Sequence, residues 1–251
     1  MVTRGGSQRV PRPADARSAG SPPWEQLPED WKRGVDARRV RLAFRGGDRT
    51  GADGFSGTFG GLAPQGAAVA PDSRPPAAVL VVLFEESGDA EVVLTRRSSL
   101  LRTHTGEICF PGGRLEPNET AADAALREAY EEVGLDPAGV EVLGSLTSLS
   151  TVSSRTGLFP VVGLVPGRPT LSPNPAEVAR AFTVSLAELM APSVYHQEWW
   201  GHGESVRVVH FFELPGETVW GATAKVLVDL LDRVISVPPA GSSPGRRPVS
   251  T

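Results

Sequence analysis

Between Gly113 and Gly134 the chain carries Glu119, Arg127, Glu128, Glu131 and Glu132, four carboxylates and one guanidinium at spacings that can do chemistry. On a helix, Glu128 and Glu132 stand one turn apart and Glu131 lies on the adjoining turn. Like charges so placed repel, which is a cost in an ordinary helix. A hard divalent cation removes that cost, because Mg2+ and Mn2+ favour oxygen ligands. A cation so held can neutralise negative charge on a bound group and make a water more acidic. A carboxylate can also serve as general base, and Glu131 and the more distant Glu177 are both candidates. The competing reading is a solvated acidic face with Arg127 as its surface ion-pair partner, and on charge alone that reading is the better one.

These residues need a helix and a sheet to hold them. Thr120 followed by Asp123 makes a capping-box-like start, Gly134 a left-handed stop, and a helix is expected over Thr120 to Val133. Its apolar stripe is Ala122, Leu126, Ala129 and Val133, with the glutamates on another side. Ala77 to Phe84 is a short continuous apolar run, the pattern of a strand buried on both faces. Glu91 to Thr95 is its hairpin partner across Ser87, Gly88 and Asp89. Further strands are expected at 140–149, 158–165, 181–184 and 206–213, and a second helix from about Thr218 to Ile235. Strands interleaved with few helices imply an α+β domain, a mixed sheet sandwiched between helices.

The fixed spacing turns the balance on the glutamates from surface to site. Gly113, Glu119, Arg127, Glu128, Glu131, Glu132 and Gly134 fill all seven fixed positions of the Nudix box, an accident on the order of one in a billion per window. Ala129 departs from the bulky aliphatic residue usual there, and bears on packing rather than on metal. The chain therefore resembles a Nudix hydrolase. The resemblance implies the Nudix α/β/α sandwich and cleavage of a nucleoside diphosphate linked to another group. It implies Glu128, Glu131 and Glu132 as ligands of Mg2+ or Mn2+, aided by the Gly113 carbonyl, with Glu119 and Arg127 bracing loop and helix.

The residues before the box narrow the resemblance. Leu94, Thr95, Arg97, Ser98, Arg102, His104, Gly106 and the run Phe110, Pro111, Gly112, Gly113 are similar to the pre-box signature of coenzyme A pyrophosphatases, with Val93 in place of its first leucine. Asn174 to Val178 and Val219 to Ala224 are similar to further features of that subfamily. The substrate implied is coenzyme A or a derivative, cleaved to adenosine 3′,5′-bisphosphate and 4′-phosphopantetheine or its acyl form. Coenzyme A carries a pyrophosphate and a 3′-phosphate, so cations are wanted beside the metal; Arg97, Arg102 and His104 are the candidate phosphate contacts, and Gly112 permits close backbone approach. The alternatives are a pyrophosphatase of NADH, ADP-ribose or a nucleoside triphosphate, and a non-catalytic Nudix domain that binds a nucleotide to regulate a partner. Cys109 beside Phe110 reads as a small buried hydrophobe, without an activating pair. His196, Trp199, Trp200 and His202 read as an aromatic and histidine cluster in a loop, and Trp220 as the anchor of the last helix.

Composition bounds the rest. With 251 residues, 40% hydrophobic, there is material for a real core. A net charge of −4 argues against bulk binding to nucleic acid, no apolar run is long enough for an ordinary membrane helix, and the single cysteine excludes an internal disulfide. Gly and Pro, 28 and 23 residues, concentrate at the ends. Residues 1–75 are therefore expected to be a mostly disordered arm, with a docked exception from Pro28 to Phe44; 76–236 the folded domain; and 237–251 a disordered tail. Arg4, Arg9, Arg12 and Arg17 suggest a transit peptide, but Pro11 and Pro13 interrupt any amphipathic stripe, and the expected location is cytoplasmic. The expected partner is a small nucleotide, with no nucleic acid and no membrane; a homodimer is the assembly left open.

Overall fold

The computed structural model describes residues 4–45, 76–150, 157–203 and 206–241. Its centre is β3 (Ala77–Glu86), whose burial alternates between two cores. Val79, Val81 and Leu83 face one side, while Ala78, Leu80, Val82 and Phe84 face the other. A strand buried on both faces needs apolar side chains of both parities, which is why this run does not alternate. β3 turns tightly through Ser87 and Gly88, both at positive φ, into antiparallel β4 (Asp89–Arg97), with Glu86 opposite Asp89.

β9 (Gly157–Val165) runs parallel to β3 on its other edge, with β7 (Glu141–Ser145) antiparallel beyond it and β10 (Val178–Ser185) antiparallel to β4. Three short strands complete this mixed sheet: β5 (Ile108–Cys109) on β4, β6 (Gly112–Arg114) on β3, and β8 (Leu149–Ser150) on β9. The expected strand over 140–149 is thus two strands. β10 begins at Val178, earlier than 181, after a register shift near its start.

One face is covered by α3 (Ala121–Val133), the expected glutamate helix, capped by the Thr120 side chain, which accepts from the Asp123 amide, and ended by left-handed Gly134. The other face is covered by α5 (Gly221–Ile235) and α2 (Ala37–Phe44). This is the expected α+β sandwich, a mixed sheet between helices. The last helix starts three residues later than Thr218, because 218–220 continue β12 (Arg207–Trp220), a strand longer than the expected 206–213.

A second, four-stranded sheet has the order β1 (Gly5–Gly6), β12, β11 (Tyr195–Trp200), β2 (Arg17–Ser18). Residues 195–200, expected in a loop, are a strand, and His196 stacks on Phe211 across it at 4.7 Å between ring centroids. Trp220 does anchor the last helix, sitting at its N-cap with its ring 6.2 Å from that of Trp200.

The described part of the N-terminal arm is folded, which corrects the expectation of disorder there. Trp24 is 1% exposed, packs on Tyr195 and Phe212, and donates its indole N–H to the Met190 carbonyl. Pro28 to Phe44 docks as α1 (Glu29–Lys32) and α2, burying Val35, Val40 and Phe44. Residues 46–75, and 242–251 of the expected tail, lie outside the described residues. A short α4 (Leu186–Leu189) links β10 to β11. Among the described residues no helix is long and apolar enough to cross a membrane.

Candidate functional site

The site forms where β6 and the loop after it meet α3. Arg127 is its hub. Its Nε and Nη2 donate to the two oxygens of Glu119 at 2.8 and 3.1 Å, and Nη2 also reaches the Arg114 carbonyl at 3.0 Å. Glu119 in turn accepts from the Glu116 amide, so Arg127 and Glu119 brace the 114–119 loop against the helix. These bonds hold the Glu119 carboxyl below its usual range and raise the guanidinium further above its own, in each case chiefly through their mutual hydrogen bonds.

Arg127 Nη1 donates to Glu128 Oε1 at 2.9 Å and to Glu131 Oε2 at 3.1 Å. One guanidinium thus converges two of the box carboxylates. Glu132 has a different setting. It is 2% exposed, and its Oε2 accepts from the Gly112 amide at 3.1 Å. Its other oxygen lies 3.9 Å from Arg97 Nη1. A helical wheel puts Glu132 off the buried stripe, whereas the structure buries it together with Ala121, Ala124, Ala125, Ala129 and Val133; Ala122 and Leu126 are only half-buried.

Burial is the main cause that raises the proton affinity of Glu128, and it pushes Glu132 up to about 7. The Glu177 charge raises both further, so Glu177 lies within electrostatic reach of both carboxylates. It is set there by the segment between β9 and β10. The Ser172 and Asn174 amides donate to the last carbonyls of α3, Val133 and Glu132, and Asn174 caps the turn that carries Glu177. The Ser98 amide then donates to the Glu177 carbonyl.

The two glycines serve different purposes. A Cβ at Gly113 would overlap the Glu128 carboxyl group, so the backbone there lies directly against that carboxylate. A Cβ at Gly112 would overlap the Ala78 carbonyl and the Val79 backbone, so Gly112 allows β6 to lie close on β3.

The donor chemistry fits a hard cation. Glu128, Glu131, Glu132 and the Gly113 carbonyl offer only oxygen, two of the carboxylates are held in a dry setting that favours their neutral forms, and a divalent ion would favour the charged ones. Arg127 engages Glu128 Oε1 and Glu131 Oε2, which leaves the opposite oxygen of each outside that contact. As they stand, no three Asp, Glu, His or Cys side chains among the described residues form a closed metal cluster.

Of the expected substrate contacts, the structure brings Gly112, through its amide to Glu132, and Arg97 to this cluster. Arg102 and His104 are exposed on the Ser98–Gly106 loop, and His104, at positive φ, bonds Glu107 at 2.8 Å. The loop is closed at its base by the Arg97 amide to the Glu107 carbonyl and the Gly106 amide to the Arg97 carbonyl. Cys109 contacts Thr95 Oγ1 at 3.2 Å, and loss of water pushes its thiol up, away from thiolate chemistry.

One neighbouring network has no signature in the sequence. Glu217, 1% exposed, receives Arg96 at 2.6 Å, Gln8 at 2.6 Å and Arg180 at 3.4 Å; Gln8 also donates to the Gly106 carbonyl. The N-terminal arm is thereby tied to the base of the Ser98–Gly106 loop. A glutamate after a Pro-Gly turn carries no local pattern that foretells such burial.

A model of the NUDIX domain matches residues 74–209. The chain is 40% identical over 144 residues to the uncharacterized Nudix hydrolase NudL of Photorhabdus laumondii, covering 57% of this chain and 76% of that one. It is 37% identical over 172 residues to Nudix hydrolase 22, chloroplastic, of Arabidopsis thaliana, covering 65% of this chain and 57% of that longer protein. Among solved structures, a MutT/nudix family protein from Enterococcus faecalis is similar at 19% identity and a TM-score of 0.46, over 65% of this chain and 63% of that one.

Proposed function

The chain belongs to the Nudix family, which its match over residues 74–209 shows, and from that premise we propose that it hydrolyses the pyrophosphate bond of coenzyme A or its derivatives in the presence of Mg2+ or Mn2+. The products are adenosine 3′,5′-bisphosphate and 4′-phosphopantetheine or its acyl form. Glu128, Glu131 and Glu132, with the Gly113 carbonyl, would hold the divalent cations, whose chemistry when bound would be charge neutralisation on the pyrophosphate and a more acidic water. Arg127 orients Glu128 and Glu131 from one guanidinium, while Glu119 holds Arg127 in place. The Gly112 amide fixes the rotamer of Glu132. Glu131, the most exposed of the three, and Glu177 are the candidates to take a proton from water.

The observation that carries the substrate reading is Arg97. A guanidinium beside the buried Glu132, with its Nε buried and without a hydrogen-bond partner, is a cation in reserve at the edge of the metal carboxylates. The exposed part of the Arg97 side chain is where a phosphoryl oxygen of the substrate would meet the guanidinium. Arg102 and His104, exposed on the adjoining loop, are the side chains we assign to a 3′-phosphate. The test is kcat/KM for coenzyme A, dephospho-coenzyme A, ADP-ribose and NADH under one metal concentration. Coenzyme A is expected to exceed dephospho-coenzyme A by about tenfold or more, the worth of one charge-assisted phosphate contact. Equal rates on the two, or turnover of ADP-ribose or NADH alone, would discard the coenzyme A reading in favour of another nucleotide.

A further inference from the structure

The Ser98–Gly106 loop begins beside Arg97 and stands on two feet. One is Ser98, whose amide donates to the Glu177 carbonyl at 2.8 Å and whose hydroxyl donates to the Pro175 carbonyl at 3.1 Å. The other is Gly106, whose amide donates to the Arg97 carbonyl at 3.2 Å and whose carbonyl accepts from the Gln8 side chain at 3.3 Å. The second foot therefore leans on a residue 98 positions away in the sequence.

The partners of Gln8 fix which way its amide points. Oε1 accepts from the Thr218 backbone amide at 2.8 Å, so Nε2 faces two acceptors, the Gly106 carbonyl and the Glu217 Oε2 at 2.6 Å. Gly6 makes room for this, since a Cβ there would overlap Gln8 Oε1 and the backbone of Gly216 and Glu217. β1 accordingly lies close along β12, with Gly6 opposite Gly216. Glu217 also serves the main sheet. Arg96 on β4 and Arg180 on β10 are directly opposite one another, a like-charge pair that repels. The buried Glu217 answers both: Oε2 accepts from Arg96 Nε and Nη2 at 3.0 and 2.6 Å, and Oε1 lies 3.4 Å from Arg180 Nη1. Successive strand residues point to opposite faces, so Arg96 is tied back to β12 while Arg97 is turned towards Glu132 on α3.

We propose that Gln8 and Glu217 are positioning residues for the substrate. Acting through Gly106 and Arg96, they fix the loop foot and the strand end that aim Arg97 at a phosphoryl group. The inference rests on the reading of Arg97 as a phosphate contact. The hydrogen bonds that orient Glu128, Glu131 and Glu132 come from Arg127 and the Gly112 amide, and none of these passes through Gln8 or Glu217. Loosening the anchor should therefore weaken substrate binding while the box carboxylates stay in place.

The test uses two variants of the full chain. Gln8→Glu keeps an acceptor for the Thr218 amide but removes the donor to Gly106 and Glu217. Gly6→Ala leaves Gln8 unaltered and crowds it out of its seat. Hydrogen–deuterium exchange of amides 98–107 in the substrate-free protein should quicken by about tenfold in both. KM for whichever of coenzyme A, ADP-ribose and NADH the wild type cleaves should rise by about tenfold, with kcat within about threefold. Unchanged exchange over 98–107 in both variants would overturn the proposal. Faster exchange with KM unmoved would overturn it too, as would a fall in kcat at constant KM, the mark of a chain that is merely less folded. A wild type that cleaves none of the three substrates would contradict the hydrolase reading instead, and the exchange alone would then decide the anchor.

Discussion

At the scale of single residues, the site is a balance between burial and charge. Glu132 is pushed up to about 7 because it is 2% exposed, against 4.5 for a free carboxyl. A carboxyl whose folded value is raised binds its proton more tightly folded than unfolded. Its favourable contribution is present below pH 4.5 and is lost as pH rises through about 7. Metal-free protein should therefore lose about 3 kcal/mol between pH 4.5 and 8 from this group, an upper figure for one carboxyl. Glu132→Gln removes the titration while leaving an oxygen for the Gly112 amide. It should raise Tm at pH 8 without metal and lower turnover by two orders of magnitude or more. A variant that is both less stable at pH 8 and fully active would contradict the reading of Glu132. The adjacent glycines make a second pair of predictions. Gly113→Ala pushes the Glu128 carboxyl aside, at the flexible end of a side chain, and should lower kcat by tenfold or more with little change in Tm. Gly112→Ala meets the backbone of Ala78 and Val79 and should cost stability first, by about 1–3 kcal/mol. Paired unfolding and rate measurements on the two variants check this.

The box residues are legible in the sequence because their types at fixed spacing define them, and in the structure Glu119, Glu128 and Glu131 converge on the Arg127 guanidinium. The burial of Glu132 is not legible there. A helical wheel assigns sides from one helix alone, and what covers the end of α3 is the 172–177 segment, some forty residues downstream. Arg102 and His104 share the loop of Arg97 in sequence but not its burial, since a turn-rich loop carries no periodicity to say which side chains face inward.

Among elements, those with strong local signals lie where the sequence puts them. β3, its hairpin with β4, and α3 between Thr120 and Gly134 follow their apolar runs, turn residues and caps. β11 does not announce itself, because Tyr195, His196, Gln197, Glu198, Trp199 and Trp200 hold a polar cluster without clean alternation. Its partners decide it: Tyr195 bonds His210 at 2.7 Å and Gln197 at 3.0 Å, and the Gln197 amide is committed to the Ala19 and Ser21 carbonyls. Burial pushes His210 down to about 4, so this ring is neutral in the folded protein near neutral pH. A depressed histidine disfavours folding in acid: its penalty is absent above pH 6.5 and grows as pH falls towards 4. Exchanging His210 for Gln should therefore lessen the acid sensitivity of Tm between pH 6.5 and 4.5. An unchanged slope over that range would show that His210 does not set it.

For the molecule entire, the described part of the N-terminal arm, residues 4–45, is part of the fold rather than an appendage. Its apolar residues are sparse, which is why composition reads it as unstructured, but Trp24, Val35, Val40 and Phe44 all join the core that α5 closes. Trp24 is wholly buried with its indole N–H satisfied, so Trp24→Ala should cost about 3–5 kcal/mol, read as a fall in the midpoint of urea unfolding. Gln8 links the same arm to Glu217 and to the Gly106 carbonyl at the foot of the Ser98–Gly106 loop. The foot of that loop thus rests on Gln8, from the far end of the chain, a long-range contact no local pattern encodes.

Whether the box glutamates cleave coenzyme A is tested most directly by product identification. Purified wild type and Glu128→Gln would be incubated with coenzyme A and saturating Mg2+ or Mn2+, and the products identified by mass. The wild type is expected to yield 4′-phosphopantetheine and adenosine 3′,5′-bisphosphate, at a rate about a hundredfold or more above that of Glu128→Gln, as loss of a metal-binding carboxylate implies. Intact coenzyme A after incubation with folded, metal-loaded wild type would contradict this, as would equal product from the two proteins.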